Sequence, residues 1–170
     1  VDDETVEALH TAVAEIGAKQ SQRYYRLVAA HLGSKPLKWS DRNAPMPFAE
    51  NQHVAWDDCV ETVLSAYESF SPTLRDLVAR MLERKWIDAP PYQGKGGGAF
   101  NYSVLLPNGE SRAYNFLNYM GSARDVMTMA HEVGHGAHGM LAADTQGALM
   151  FRAPMAYAET ASIFGEMTTF

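Results

Sequence analysis

Apolar residues recur at three- and four-residue intervals through most of this chain, and that period marks helices. Over residues 3 to 32 the stripe is Val6, Leu9, Val13, Ile16, Tyr24, Leu27 and Val28, closed by the stop signal of Gly33 and Pro36. The proline-rich segment LKWSDRNAPMP reads as a loop or an irregular strand. A second helix is predicted over roughly 48 to 69, with Trp56, Val60, Val63, Leu64 and Tyr67 on one stripe. Ser71 as a cap and Pro72 in the first turn open a third. Its expected buried face is Leu74, Leu77, Val78, Met81 and Leu82, and Pro90-Pro91 is expected to end it.

The pattern then changes. YQGKGGGAFNYSVLLPNGESRAYNFLNYM holds a glycine-rich stretch and two aromatic-rich segments joined by Asn108-Gly109. Asn-Gly between alternating apolar residues predicts a hairpin with both turn positions at positive φ, and strands near 99 to 106 and 111 to 119. Ser122 with Asp125 three residues on resembles a capping box. The helix it opens has Val126, Met129, Ala130, Val133, Ala137, Met140 and Leu141 as its apolar stripe. A loop is expected around 143 to 153, and a last helix from near Pro154. The expected fold is mainly α with a small antiparallel β-hairpin. It forms a single segment over 1–170, helical over 1–89, with hairpin and site helices over 90–170.

Composition narrows the function classes. At 170 residues, 46% apolar and 20% charged, the chain suits one soluble domain with its own core. The net charge of −6 comes without any basic block, which argues against nucleic-acid partners. No apolar run approaches the roughly 20 residues of a membrane span. Cys59 is the single cysteine: it allows no intrachain disulfide and no thiolate zinc site, and is expected to be buried. It is compatible with a reducing compartment, and a cytoplasmic location is the expectation. The chain starts without methionine and stops at EMTTF inside a predicted helix, so it reads as a piece of a longer polypeptide.

The candidate chemistry lies at 131 to 135, HEVGH, within TMAHEVGHGAHGM. His131 and His135 are one helical turn apart, so their rings converge on one side of the helix. Neutral imidazole binds zinc, and a catalytic zinc takes three protein ligands and a water. Glu132 sits about 100° further round, placed to take a proton from a water whose pKa zinc lowers toward about 7. Leu141 stands where a third histidine ten residues after the first would be. His138 lies too far along the helix to share one ion easily, so it reads as supporting a ligand or the structure. A carboxylate from the next helix remains, Glu159 or Glu166, and Glu159 is favoured. Glu166, two turns on, is placed either to hydrogen-bond a ligand histidine or to lie in solvent. Two other readings stand beside the enzyme: a non-enzymatic zinc module closed by His138, and a metal-free interaction domain.

These residues resemble a known family. HEVGHGAH followed by AETASIFGE is similar to the zinc metallopeptidases of the thimet oligopeptidase and oligoendopeptidase F group, closer to the second branch. GKGGGAF, the Asn118-Tyr119 pair and LKWSDRNAPMP also resemble that branch, specifically over about 90 to 170 and more loosely over 1 to 89. The resemblance implies a partial zincin-like core of the gluzincin type, with one zinc held by His131, His135 and Glu159 and with Glu132 as general base. It implies hydrolysis of short peptides, whose backbone would add to the strand before the motif helix. Gly97, Gly98, Asn118 and Tyr119 would contact that substrate. It further implies that the rest of the catalytic domain, including the tyrosine and histidine donors to the oxyanion, lies outside these residues.

Overall fold

The computed structural model describes residues 2–34, 36–44 and 53–170. The chain divides into two compact units, Val1–Asn51 and Gln52–Phe170. The helices of 56–83 belong to the second unit, with the site-bearing residues.

In the first unit, α1 (Asp3–Ala12) opens where the Asp2 carboxylate accepts the Thr5 N–H at 2.9 Å. A π-type segment, Val13–Gly17, joins it to α2 (Ala18–Leu32), and Gly33 at φ 62° closes α2. The period located this helix correctly, yet of its apolar stripe only Val28 is buried; the other six residues stay exposed. A stripe is buried only where a second surface meets it, and this unit adds among its described residues just a 3₁₀ turn, Trp39–Asn43. Residues 45–47 of the proline-rich segment and 48–52 of the expected second helix lie outside the described residues.

The second unit is built on four helices and a sheet. Helix α3 (Trp56–Phe70) buries Cys59, Val63 and Tyr67, and α4 (Pro72–Glu83) buries Leu77, Val78 and Met81. Ser71 occupies the cap position of α4, but its side chain makes no capping bond. Pro90-Pro91 does not end α4. A Schellman turn does: Trp86 N–H donates to Met81 O at 2.9 Å and Lys85 N–H to Leu82 O at 3.0 Å, with Lys85 at φ 56°.

The sheet is mixed, not purely antiparallel. Strand β2 (Phe100–Leu105) pairs antiparallel with β3 (Ser111–Phe116), while the two-residue β1 (Ile87–Asp88) pairs parallel to β3. The order β1-β3-β2 makes β3 central and leaves β2 as an edge. The hairpin turn also differs from expectation, since only Gly109 has positive φ. Gly109 N–H donates to Leu106 O, and Leu106 N–H to Glu110 O, both at 2.9 Å, which closes a three-residue loop. Pro107 has no N–H to donate to Glu110, the bond that a two-residue Asn108-Gly109 turn needs, so the loop closes one residue earlier.

Helix α5 (Ala123–Gln146) packs on β2 and β3 and against α3, α4 and α6 (Met155–Thr169). Its burial follows the predicted stripe except at exposed Leu141. It runs past the expected loop start to Gln146. Among the described residues no helix is long and apolar enough to cross a membrane.

Candidate metal and catalytic site

Two helix starts fix the site. Ser122 and Asp125 form the expected capping box: Ser122 N–H donates to Asp125 Oδ2 at 2.9 Å and Asp125 N–H to Ser122 Oγ at 3.2 Å. Asp125 Oδ2 also accepts the Met120 N–H at 3.1 Å. Pro154 then precedes α6, which carries Glu159, Ser162 and Glu166 at intervals of three and four residues.

The α5–α6 contact is close because its residues are small. A Cβ on Gly165 would run into the Tyr67 hydroxyl and the Ala130 carbonyl, and one on Gly134 into the backbone of Ala161 and Ser162. The buried Tyr67 hydroxyl donates to Ala130 O at 2.8 Å, locking α3 to the turn of α5 just before His131.

His131, His135 and Glu159 converge, their donor atoms all within 4.8 Å of one another. Glu159 Oε2 lies 3.5 Å from His131 Nε2 and 3.7 Å from His135 Nε2. Donors about 2.0–2.1 Å from a tetrahedral zinc stand roughly 3.3 Å apart, so the two distances to Glu159 need only a small contraction to hold one. The donor set of two imidazoles and one carboxylate fits that ion.

The surroundings prepare each ligand. His131 Nδ1 donates to Glu166 Oε1 at 2.5 Å, which leaves the Nε2 lone pair facing Glu159 and His135. Burial, the largest influence, holds His135 below the usual histidine range and favours the neutral ring that a metal needs; Glu159 and the Ala158 backbone oppose it. Ser162 Oγ lies 2.9 Å from Glu159 Oε2 and restrains that carboxylate.

Glu132 is only 6% exposed, and burial pushes its carboxyl up to about 7. Glu159 and Glu166 push the same way, while His131 and the Asn101 N–H oppose. A dication at the triad would favour the carboxylate and draw this value down.

A groove runs through the site along the open edge of β2. A cavity of about 520 Å³ includes Gly98, Asn118, Arg124 and Glu166, and one of about 480 Å³ includes Tyr102, His138, Arg152 and Glu159. Both share His131 and Glu132. Strand addition therefore has its free edge on β2, not on the strand directly before the motif helix, because β3 is paired on both sides.

Other expected residues are distributed unevenly. Asn118 and Gly98 line the groove, but Asn118 Nδ2 is engaged with Gly96 O at 2.9 Å and Gly98 O at 3.0 Å, so it holds the glycine loop. Lys95 fixes the same loop by donating to Asp88 O and Pro90 O, both at 3.0 Å. Gly97 does not line either cavity. Tyr119 is directed elsewhere: its hydroxyl donates to Val54 O at 2.9 Å and its ring meets Trp56 edge-on. His138 lines the groove without joining the three-member ligand group among the described residues. Sequence reasoning missed Ser162, Tyr67 and Arg124. Ser162 had a signal, its spacing of three from Glu159; Tyr67, remote in sequence from Ala130, had none.

Solved structures share this fold. A Bacillus anthracis crystal structure carrying an oligoendopeptidase F designation superposes with a TM-score of 0.83 at 19% identity, covering 99% of this chain and 31% of its own. PZ peptidase A with an inhibitor gives 0.78 at 19% identity, over 99% and 30%. In sequence, an oligoendopeptidase F homolog of Lactococcus lactis subsp. lactis is 26% identical over 166 residues, which is 98% of this chain and 26% of that protein. Another from Borreliella burgdorferi is 30% identical over 114 residues, 66% of this chain and 19% of that protein. The chain thus spans about a quarter of the length of the first of these relatives. The family model of peptidase family M3 matches residues 59–170, a span that holds both histidines, the carboxylates of α6 and the edge strand beside them, and the chain belongs to that family.

Proposed function

We propose that this chain carries the metal-binding part of a zinc-dependent endopeptidase acting on short peptides. His131, His135 and Glu159 hold one zinc per chain, and Glu132 is the general base. The convergence of these three donors, with a buried carboxylate beside them, carries the reading. When bound, zinc supplies Lewis acidity that polarises a carbonyl and acidifies water. Glu132 takes the proton of the attacking water at its carboxylate and passes it to the leaving amine. Glu166 keeps the His131 ring in the tautomer that presents Nε2. The open edge of β2 offers backbone N–H and C=O groups to an extended peptide, so recognition falls on backbone as much as on side chains. The buried thiol of Cys59 suits a reducing, cytoplasmic setting.

Elemental analysis joined to a peptide-cleavage assay tests this. In the full-length protein, Glu132→Gln should keep one zinc per chain and lose hydrolysis; undiminished cleavage by that variant would remove Glu132 from the mechanism. His131→Ala should lose the metal, and tight one-to-one zinc binding afterwards would refute the ligand set. Stoichiometric zinc without cleavage by these residues alone fits a piece of a larger catalytic domain, whereas the same result in the full-length protein would favour a metal-holding module.

A further inference from the structure

The groove beside the metal triad contains a cation that the reaction does not use. Arg124 lines the cavity shared by Gly98, Asn118, His131, Glu132 and Glu166. Its guanidinium makes no hydrogen bond, ion pair or ring contact among the described residues, although carboxylates line the same cavity. The nearest in sequence, Asp125, is engaged with the backbone N–H groups of Met120 and Ser122. Fold stability does not account for Arg124 either. It is the second residue of α5, where the helix dipole disfavours a positive charge, and no partner offsets that.

Distance and direction give it a task. Arg124 precedes His131 by seven residues, about 10 Å along the helix axis. An extended peptide advances about 3.3 Å per residue, so the same length spans roughly three residues. Arg124 lies at the end of the groove where β2 begins, beside Gly98 and Ala99. A peptide added antiparallel to β2, the commoner and more stable pairing, has its C-terminus at that end. Guanidinium against carboxylate is the strong, geometrically matched pair for a chain end.

We infer that Arg124 binds the free C-terminal carboxylate of the peptide substrate, about three residues beyond the scissile bond. It thereby favours short peptides over internal segments of long chains. This rests on the endopeptidase reading for the position of the scissile bond.

The test is equilibrium binding to the zinc-loaded full chain carrying Glu132→Gln, which keeps the peptide intact. The probe is one hexapeptide in C-terminal acid and amide forms. Because Arg124 is exposed, the acid should bind about tenfold tighter, at the low end for a charge-assisted contact. Arg124→Gln should bring the two forms within about twofold of each other, and Arg124→Lys should restore part of the difference. Equal binding of acid and amide, an acid preference that survives Arg124→Gln, or no binding of either form overturns the inference. So does sensitivity to N-terminal acetylation in place of C-terminal amidation, since the peptide would then lie the other way. Failure of the endopeptidase reading shows differently: the acid form binds through Arg124, yet the full-length protein with Glu132 intact cleaves neither form.

Discussion

Glu166 is the residue whose removal should separate holding a metal from holding it well. It touches His131 on the nitrogen facing away from Glu159, so Glu166→Ala leaves all three donors but frees the ring. Zinc affinity should fall about 10- to 100-fold at unchanged stoichiometry, read by competition with a chelator. An unchanged affinity would mean that ring orientation is set by packing alone. Cys59 offers a second residue-level check. It is fully buried and, chiefly through desolvation, its thiol is raised to about 11, so at pH 8 it is almost wholly protonated. Alkylation of the folded chain should be slow and limited by opening of the core, while the unfolded chain reacts at the ordinary thiol rate. The sign with respect to pH follows. The neutral thiol is favoured on folding, so its contribution to stability is intact below the ordinary thiol value of 9.0 and is lost as pH climbs toward 11. Equal alkylation rates in the folded and unfolded states would contradict the burial.

Among elements, α6 bears two of the site carboxylates, so its approach to α5 governs the site. Gly165→Ala should cost about 1–3 kcal/mol in denaturant unfolding through overpacking on Tyr67 and Ala130, and should also weaken zinc binding by shifting Glu159 and Glu166. A stability loss with unaltered zinc affinity would show that α6 tilts without carrying its carboxylates. At the end of α4, Lys85 holds a left-handed conformation suited to glycine. Lys85→Gly should stabilise the fold by about 1 kcal/mol, seen as a higher denaturant midpoint. Sequence legibility divides along the same line. Ser122 with Asp125, His131 with His135, and Gly33 were readable because each acts within one or two turns of its own helix. The parallel β1 pairing, the Schellman end at Lys85 and the Tyr67 bond to Ala130 were not. The first is two residues long, the second uses a residue type that seldom adopts positive φ, and the third joins residues 63 apart. Asn108-Gly109 was legible as a turn but misleading as to type, because Pro107 constrains the position before it.

Across the molecule, every residue of the triad, with Glu132 and Arg124, lies in the second unit. Metal that bridges α5 and α6 acts on the folded state alone, so zinc at 1,000 times its dissociation constant should add about 4 kcal/mol to stability. A thermal scan with and without chelator would show it, and coincident melting curves would indicate that the triad binds no ion. The unpaired side of β2 has a cost beyond catalysis. Among the described residues its backbone N–H and C=O groups lack a neighbouring strand, and Phe100 and Tyr102 on it are 53% and 51% exposed. Such an edge templates any strand that reaches it, including that of another copy. The edge proposed to take an extended peptide is therefore also a route to self-association. A peptide bound there would fill that edge, so concentrated samples should scatter less light when one is present.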